Sequence, residues 1–263
     1  MRSNGLRTLW AEGKKTLNGW CSIPSSFAAE VMAHQGWDSV TVDMQHGVVD
    51  YQTMVAMLQA ISTTDAVPMV RVPWLEAGIV MKSLDAGAYG VICPMVNTPE
   101  DAARFVAWCS YPPAGERSFG PIRATLYAGA DYPQHANATV LKIAMIETRR
   151  ALDNLDAILA TPGLDGVYVG PSDLAASLGH PPALDATEPE VVDAIQRILK
   201  AAKDRGLAAG IHTGAAEYAA EVHGWGFDMA TIGSDSRLMA AAAQQALGIA
   251  RSGVAGATDT GTY

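Results

Sequence analysis

Cysteine is scarce, with three residues among 263: Cys21, Cys93 and Cys109. The number is odd and no two form a CxxC pair, which argues against a disulfide framework and a thiolate zinc site. Positive charge is also short. Eighteen Lys and Arg stand against 27 Asp and Glu, a net charge of −9. Without basic clusters, such a chain is not built for nucleic acid or for an anionic membrane surface. No apolar run is long enough to span a bilayer. The start, Met1-Arg2-Ser3-Asn4-Gly5, leads to Glu12, Lys14 and Lys15 rather than to the hydrophobic stretch of a signal peptide. The expected location is cytoplasmic. Nor does a GxGxxG follow the first strand-like run, which weighs against an open dinucleotide-binding sheet.

What the chain has is alternation. It is 49% hydrophobic, enough for a large core, and close in length to the roughly 250 residues of a (β/α)₈ barrel. Apolar, β-rich runs occur at 18–23, 38–43, 67–72, 90–95, 139–146, 165–169, 207–211 and 228–232. Between them lie helical periodicities, such as Ala102, Phe105, Val106 and Cys109, or Val191, Ala194, Ile195, Ile198 and Leu199. Eight strands alternating with helices without a break in composition predict an α/β fold with a closed parallel sheet, a TIM barrel. A doubly wound open sheet is the competitor. Leu6, Leu9 and Trp10 predict an N-terminal helix that closes the bottom. Residues 1–250 are expected to form the one barrel domain and 251–263 a flexible tail. Residues 111–137 hold several Pro and Gly with little periodicity, and are expected to form a lid or a contact between subunits.

Barrel chemistry sits at the C-terminal ends of strands. Asp43-Met44-Gln45-His46-Gly47 reads as a strand stopping at an acid and turning through a histidine. Asp43 is near enough to orient the His46 ring as a base; the competing reading is a loop histidine bonded locally. Arg71 ends a short strand and shares a face with Val67 and Met69. It needs an anionic partner, either a substrate oxyanion or a carboxylate such as Asp43. Glu147 ends the fifth strand and Asp173 follows the sixth. Two oxygen ligands on neighbouring strands suit a hard divalent ion such as Mg²⁺ or Mn²⁺. Equally, both could be acids in the first turn of a helix. Gly170-Pro171-Ser172-Asp173 leaves a strand into a helix N-terminus whose free N–H groups bind carboxylate or phosphate; a plain Ser cap is the alternative. Trp20 is placed to wall the pocket or to fill the core. His212, at the end of the seventh strand, is placed to touch substrate. Gly233-Ser234 opens a helix like the phosphate corner of other barrels. The one lysine inside a strand, Lys142, lies five residues before Glu147. It therefore points to the other face near the bottom, which argues against an imine-forming aldolase.

Taken together, Gly19-Trp20, Asp43-x-x-His46, the Arg71 strand, Leu84-Asp85-Ala86-Gly87-Ala88, Tyr111-Pro112-Pro113-x-Gly115-x-Arg117, Glu147-Thr148, Leu152-Asp153-Asn154-Leu155 and Asp165-Gly166-Val167-Tyr168-Val169-Gly170-Pro171-Ser172-Asp173-Leu174 resemble a known family. It is the HpcH/HpaI type of metal-dependent (class II) 4-hydroxy-2-oxo-acid and pyruvate aldolases, within the wider citrate-lyase-β group. The resemblance spans roughly residues 4–250. It implies a barrel that assembles as a hexamer, a trimer of dimers exchanging the last helix. It implies that Glu147 and Asp173 bind a divalent ion (Mg²⁺, Mn²⁺ or Co²⁺) that chelates pyruvate. The backbone around Gly170, Pro171, Ser172 and Asp173 would hold the carboxylate, and Arg71 the developing oxyanion. His46 would move the proton, supported by Asp43 and by Asp85 of a neighbouring chain. The implied partners are a small 2-oxo acid and an aldehyde; the implied substrates are 4-hydroxy-2-oxoheptanedioate or 2-keto-3-deoxy sugar acids, with hydroxypyruvate as a conceivable donor. Gln45 and Met145 stand where many relatives carry Glu and Gln, so rate and donor preference are expected to differ. The alternative is an acyl-CoA carbon–carbon lyase like citrate lyase β, for which Arg117 and Arg123 would be the phosphate contacts.

Overall fold

Eight parallel strands close on themselves in sequence order in the computed structural model, which describes residues 1–252. They are β1 (Thr16–Cys21), β2 (Ser39–Asp43), β3 (Val67–Arg71), β4 (Gly90–Cys93), β5 (Leu141–Ile146), β6 (Gly166–Val169), β7 (Ala208–Thr213) and β8 (Met229–Ile232). The barrel is sealed where Thr16, Leu17 and Asn18 pair with Met229, Ala230 and Thr231. The expected TIM barrel is the observed fold, and each apolar run is a strand whose ends moved by no more than two residues. Strands buried on both faces carry continuous apolar runs, which is why these were legible.

Two layers of core result. Val40, Val42, Val70, Val91 and Ile211 are buried with the residues of the surrounding helices. The barrel interior is more polar: Asn18, Ser39, Thr41 and Thr231 are all fully buried. They are tolerated because they bond one another. Several helices begin where the sequence supplies a side-chain cap. Ser25, Asp50, Thr98, Thr148 and Ser234 each accept from a backbone N–H three residues on. The N-terminal helix Gly5–Ala11 is capped by Asn4 and lies across the strand starts. There Arg7 donates to the carbonyls of Thr139 and Val140 and to Asp165. Lys142 is buried at this same end, beside Asn137 and Asp165.

Residues 111–137 depart from the expectation of an irregular segment. They contain the helix Ile122–Ala128 and the start of Tyr132–Thr139. The buried stripe, Ala124, Ala128, Tyr132 and Ala136, repeats every four residues. Three of its four members are alanine, so hydrophobicity alone hardly marks it. The segment packs beside the helix Ala77–Asp85. The last helix, Asp235–Arg251, has one buried residue, Asp235. The tail expected at 251–263 lies outside the described residues beyond Ser252. No helix among the described residues is long and apolar enough to cross a membrane.

Candidate active site

The C-terminal ends of the strands surround a cavity of about 330 Å³. Its lining includes Trp20, Asp43, His46, Arg71, Glu147, Gly170, Pro171, Ser172, Asp173 and His212. Strand register explains the first pairing: Asp43 and Arg71 are direct neighbours at the ends of β2 and β3. They form a bidentate ion pair, Nε to Oδ1 at 2.8 Å and Nη2 to Oδ2 at 2.6 Å. Burial alone would raise the Asp43 carboxyl; the bonds and charge of Arg71 outweigh it and hold Asp43 below the usual carboxylate range. The indole of Trp20 donates to Asp43 at 3.2 Å, and the guanidinium of Arg71 lies 4.8 Å from the centre of the Trp20 ring. Of the two partners left open for Arg71, the carboxylate is the one observed, and the pair still faces the cavity.

Asp43 does not hold the His46 ring. Its Oδ1 accepts instead from the backbone N–H of Gln45 and of His46. A short side chain bonding the amides two and three residues on makes a tight turn, so Asp43 sets the course of the loop and leaves the imidazole exposed at the rim. Asp85 lies outside this cavity. It ends the helix Ala77–Asp85 and bonds the buried guanidinium of Arg117 at 2.8 Å. Arg117 and Arg123 are likewise engaged within the fold, Arg117 with Asp85 and Tyr132, Arg123 with Ala86, Leu58 and Ser62. Neither reaches the cavity, so the acyl-CoA alternative loses its cations. No residue of 111–137 lines the cavity either, so within this chain the segment is not a lid.

Glu147 and Gly170 follow the paired ends of β5 and β6, Ile146 and Val169. Glu147 is 1% exposed, and its Oε1 accepts from the N–H of Met95 at 2.7 Å. Its Oε2 accepts from no described residue. A Cβ on Gly170 would stand 2.4 Å from that oxygen, so only glycine leaves it open. Burial pushes the Glu147 carboxyl up to about 7; the Asp173 charge adds to this, while Met95 and Arg71 oppose it. Asp173 sits in the first turn of the helix Pro171–Leu178. That helix has no side-chain cap, so the amides of Ser172 and Asp173 remain available to a ligand. The donor set is therefore two carboxylates, one with a free oxygen, and no sulfur. That set fits a hard divalent ion. No group of three or more acidic, His or Cys side chains placed to hold a metal ion occurs among the described residues, so most of such an ion's coordination would come from substrate and water.

A sequence scan weighs single residues and misses supports. Met95 is one: it adopts a positive φ of 56°, uncommon for a side-chain-bearing residue, and so presents its N–H to Glu147. Asp235 is another, buried and accepting from the amides of Ser22 and Ile23 to tie β1's exit loop to the last helix. Tyr168 is the third, buried beside Trp20 and His212. Strand parity with Gly166 and Gly170 was the signal that could have placed it inward.

The family model described as HpcH/HpaI aldolase/citrate lyase matches residues 20–242. The chain belongs to this family. A hydroxypyruvate/pyruvate aldolase of Rhizorhabdus wittichii is 44% identical over 94% of this chain and 99% of that protein. A 5-keto-4-deoxy-D-glucarate aldolase of Salmonella paratyphi C is 36% identical over 92% of this chain and 94% of its own. Among solved structures, an HpcH/HpaI aldolase/citrate lyase family protein from Burkholderia cenocepacia superposes with a TM-score of 0.89 at 37% identity, covering 95% of this chain and 100% of that one. The HpcH/HpaI barrel described here is thus that of an aldolase-type lyase.

Proposed function

We propose that this enzyme is a divalent-metal-dependent aldolase. It cleaves and forms the C3–C4 bond of 4-hydroxy-2-oxo acids, exchanging them with pyruvate or hydroxypyruvate and an aldehyde. The observation that carries the reading is Glu147, a buried carboxylate with one oxygen left open beside Asp173, in a cavity that also holds Arg71 and His46. The names of the relatives support the donors, and the cavity's size suits substrates of the 4-hydroxy-2-oxoheptanedioate or 2-keto-3-deoxy sugar acid type. The cytoplasm is the proposed location.

Glu147 and Asp173 would hold Mg²⁺, Mn²⁺ or Co²⁺, which when bound polarises the 2-oxo group. The amides of Ser172 and Asp173 receive the substrate carboxylate at the positive end of their helix. Arg71, fixed by Asp43, stabilises the negative charge that grows on the 2-oxo oxygen as C3–C4 breaks; a preorganised donor contributes a few kcal/mol here. Trp20 keeps water from that side. His46 at the rim takes the proton of the 4-hydroxyl. Copies of the chain assemble, in our reading as a hexamer, through the last helix, where Leu238, Met239, Leu247 and Ile249 stand in solvent. In that assembly Asp85 of one copy supports His46 of another.

The test is pyruvate release from a panel of 4-hydroxy-2-oxo acids. Exhaustive chelation is expected to abolish turnover, and added Mg²⁺, Mn²⁺ or Co²⁺ to restore it; undiminished turnover in EDTA removes the metal from the reading. His46→Ala is expected to lower kcat by about 100-fold. Because the ring bonds no described residue, the same change is expected to shift unfolding free energy by no more than about 0.5 kcal/mol. A large loss of stability would make His46 a structural residue instead.

A further inference from the structure

A hydrogen-bond chain crosses the barrel interior and ends in the cavity. Ser39 and Thr41 donate their hydroxyl hydrogens to Oδ1 of Asn18, at 2.8 and 3.0 Å. Asn18 Nδ2 donates to Oγ1 of Thr231 at 2.8 Å. Tyr168 donates its hydroxyl hydrogen to the same Thr231 oxygen at 2.7 Å. The Tyr168 oxygen is also 3.1 Å from Nδ1 of His212. A phenol has one hydrogen, and here it is committed to Thr231. Towards His212 the phenol can therefore only accept. Nδ1 carries the ring's hydrogen, and Nε2 is left with a lone pair. A neutral ring is the stable form: burial first, then the charges of Arg71 and Arg237, push His212 down to about 3. Gly210 makes the arrangement possible, since a Cβ there would come within 2.9 Å of the Tyr168 ring. Trp20 meets the imidazole edge-on at 4.8 Å and limits its tilt.

The ring is thus held on one side by Tyr168 and on another by Trp20, and it lines the cavity. Nε2 accepts from no described residue. Apart from His46, the base at the rim, every other polar group assigned to substrate in this cavity is a cation, an N–H donor or a metal-binding carboxylate. A fixed neutral acceptor is of no use to a carboxylate or a carbonyl, both of which are acceptors themselves. It matches a hydroxyl. We propose that His212 is a specificity-determining residue whose unprotonated Nε2 accepts a hydrogen bond from a hydroxyl of the bound substrate, favouring hydroxylated donors or aldehydes over their deoxy counterparts. Tyr168 is its positioning residue, acting through the tautomer. The aldolase reading above supplies the molecules that enter the cavity; the state of the ring does not depend on it.

Two arms test this. In the first, ¹⁵N NMR of histidine-labelled protein reads the ring directly. Nδ1 is expected to be protonated and Nε2 bare from pH 5 to 8. Hydroxypyruvate or glycolaldehyde is expected to move the Nε2 signal, while pyruvate and acetaldehyde leave it. This holds whether or not the protein turns over, so a failed aldolase reading is told apart from a failed role for His212. A protonated Nε2, or a shift common to all four compounds, overturns the proposal. In the second arm, His212→Phe is expected to lower kcat/KM for whichever member of the pairs hydroxypyruvate/pyruvate and glycolaldehyde/acetaldehyde carries the recognised hydroxyl about 10-fold more than for its deoxy counterpart. The pair that responds identifies which hydroxyl is read. His212→Gln, which keeps an acceptor, is expected to recover part of the loss, and Tyr168→Phe to blur the tautomer and the preference together. An equal loss on all four compounds, or none, overturns the assignment.

Discussion

With Gln in place of Glu147, the metal-free protein is expected to melt roughly 5 °C above the parent at pH 8, and to have lost its aldol activity. The reason is the cost of a buried charge. Glu147 is 1% exposed, and burial first, then the Asp173 charge, bring its carboxyl from 4.5 to about 7. Between those values the folded chain holds a proton that the unfolded chain has released. The Glu147 contribution to stability is therefore greatest below pH 4.5 and declines as pH rises to 7, by about 3 kcal/mol in all. Glutamine has the same shape, keeps the bond from Met95 and carries no charge at any pH. It is thus expected to be more stable above pH 7 and no different at pH 4.5. A divalent ion is expected to stabilise the parent and leave Glu147→Gln unmoved. For the same reason, metal affinity of the parent should fall about tenfold per pH unit below 7, where the proton competes. Thermal unfolding between pH 4.5 and 8, with and without Mn²⁺, decides it. A parent whose melting temperature is flat across that range, or a variant that melts lower, removes the argument.

The second large effect is expected at Asp43. Asp43→Ala leaves Arg71, 8% exposed, without its counter-charge, at a cost of about 3–5 kcal/mol. It also frees the amides of Gln45 and His46 and the Trp20 indole, all of which bond that carboxylate. Arg71→Met alone strands the acid in the same way. The double variant strands neither, so its loss is expected to fall short of the sum of the singles by about 2 kcal/mol. A denaturant double-mutant cycle measures this; strict additivity would mean that the pair contributes no coupling. All three variants are expected to be inactive. In Arg71→Lys the two parallel bonds cannot form, and kcat is expected to fall far more than KM rises, because the charge that Arg71 meets develops during reaction. The pair also sets acid sensitivity. Asp43 is held below its ordinary value of 3.8, so its contribution is present above that value and is lost as pH falls through the folded one.

Apart from the helices within 111–137, whose buried stripe is mostly alanine, the eight strands and most of the helices between them were determined by the sequence alone, because burial on both faces of a parallel sheet demands continuous apolar runs and caps mark several helix starts. So was the set of residues at the mouth: Asp43, Arg71, Glu147, Gly170 and Asp173 each stand at or just beyond the end of a strand, and a closed barrel brings all strand ends to one rim. What only the tertiary structure decided is what each of them holds. Asp43 was read as the support of the His46 ring, yet it spends its oxygens on Arg71, on an indole and on two amides. Linear spacing gives proximity along the chain and is blind to the partner supplied by the next strand. The open oxygen of Glu147, its shifted carboxyl and the turn at Met95 are likewise invisible in one dimension, since burial is a property of everything packed around a group. The same holds for His212: its residue type was plain in the sequence, but its tautomer depends on a tyrosine 44 residues away that the closure of the barrel sets beside it.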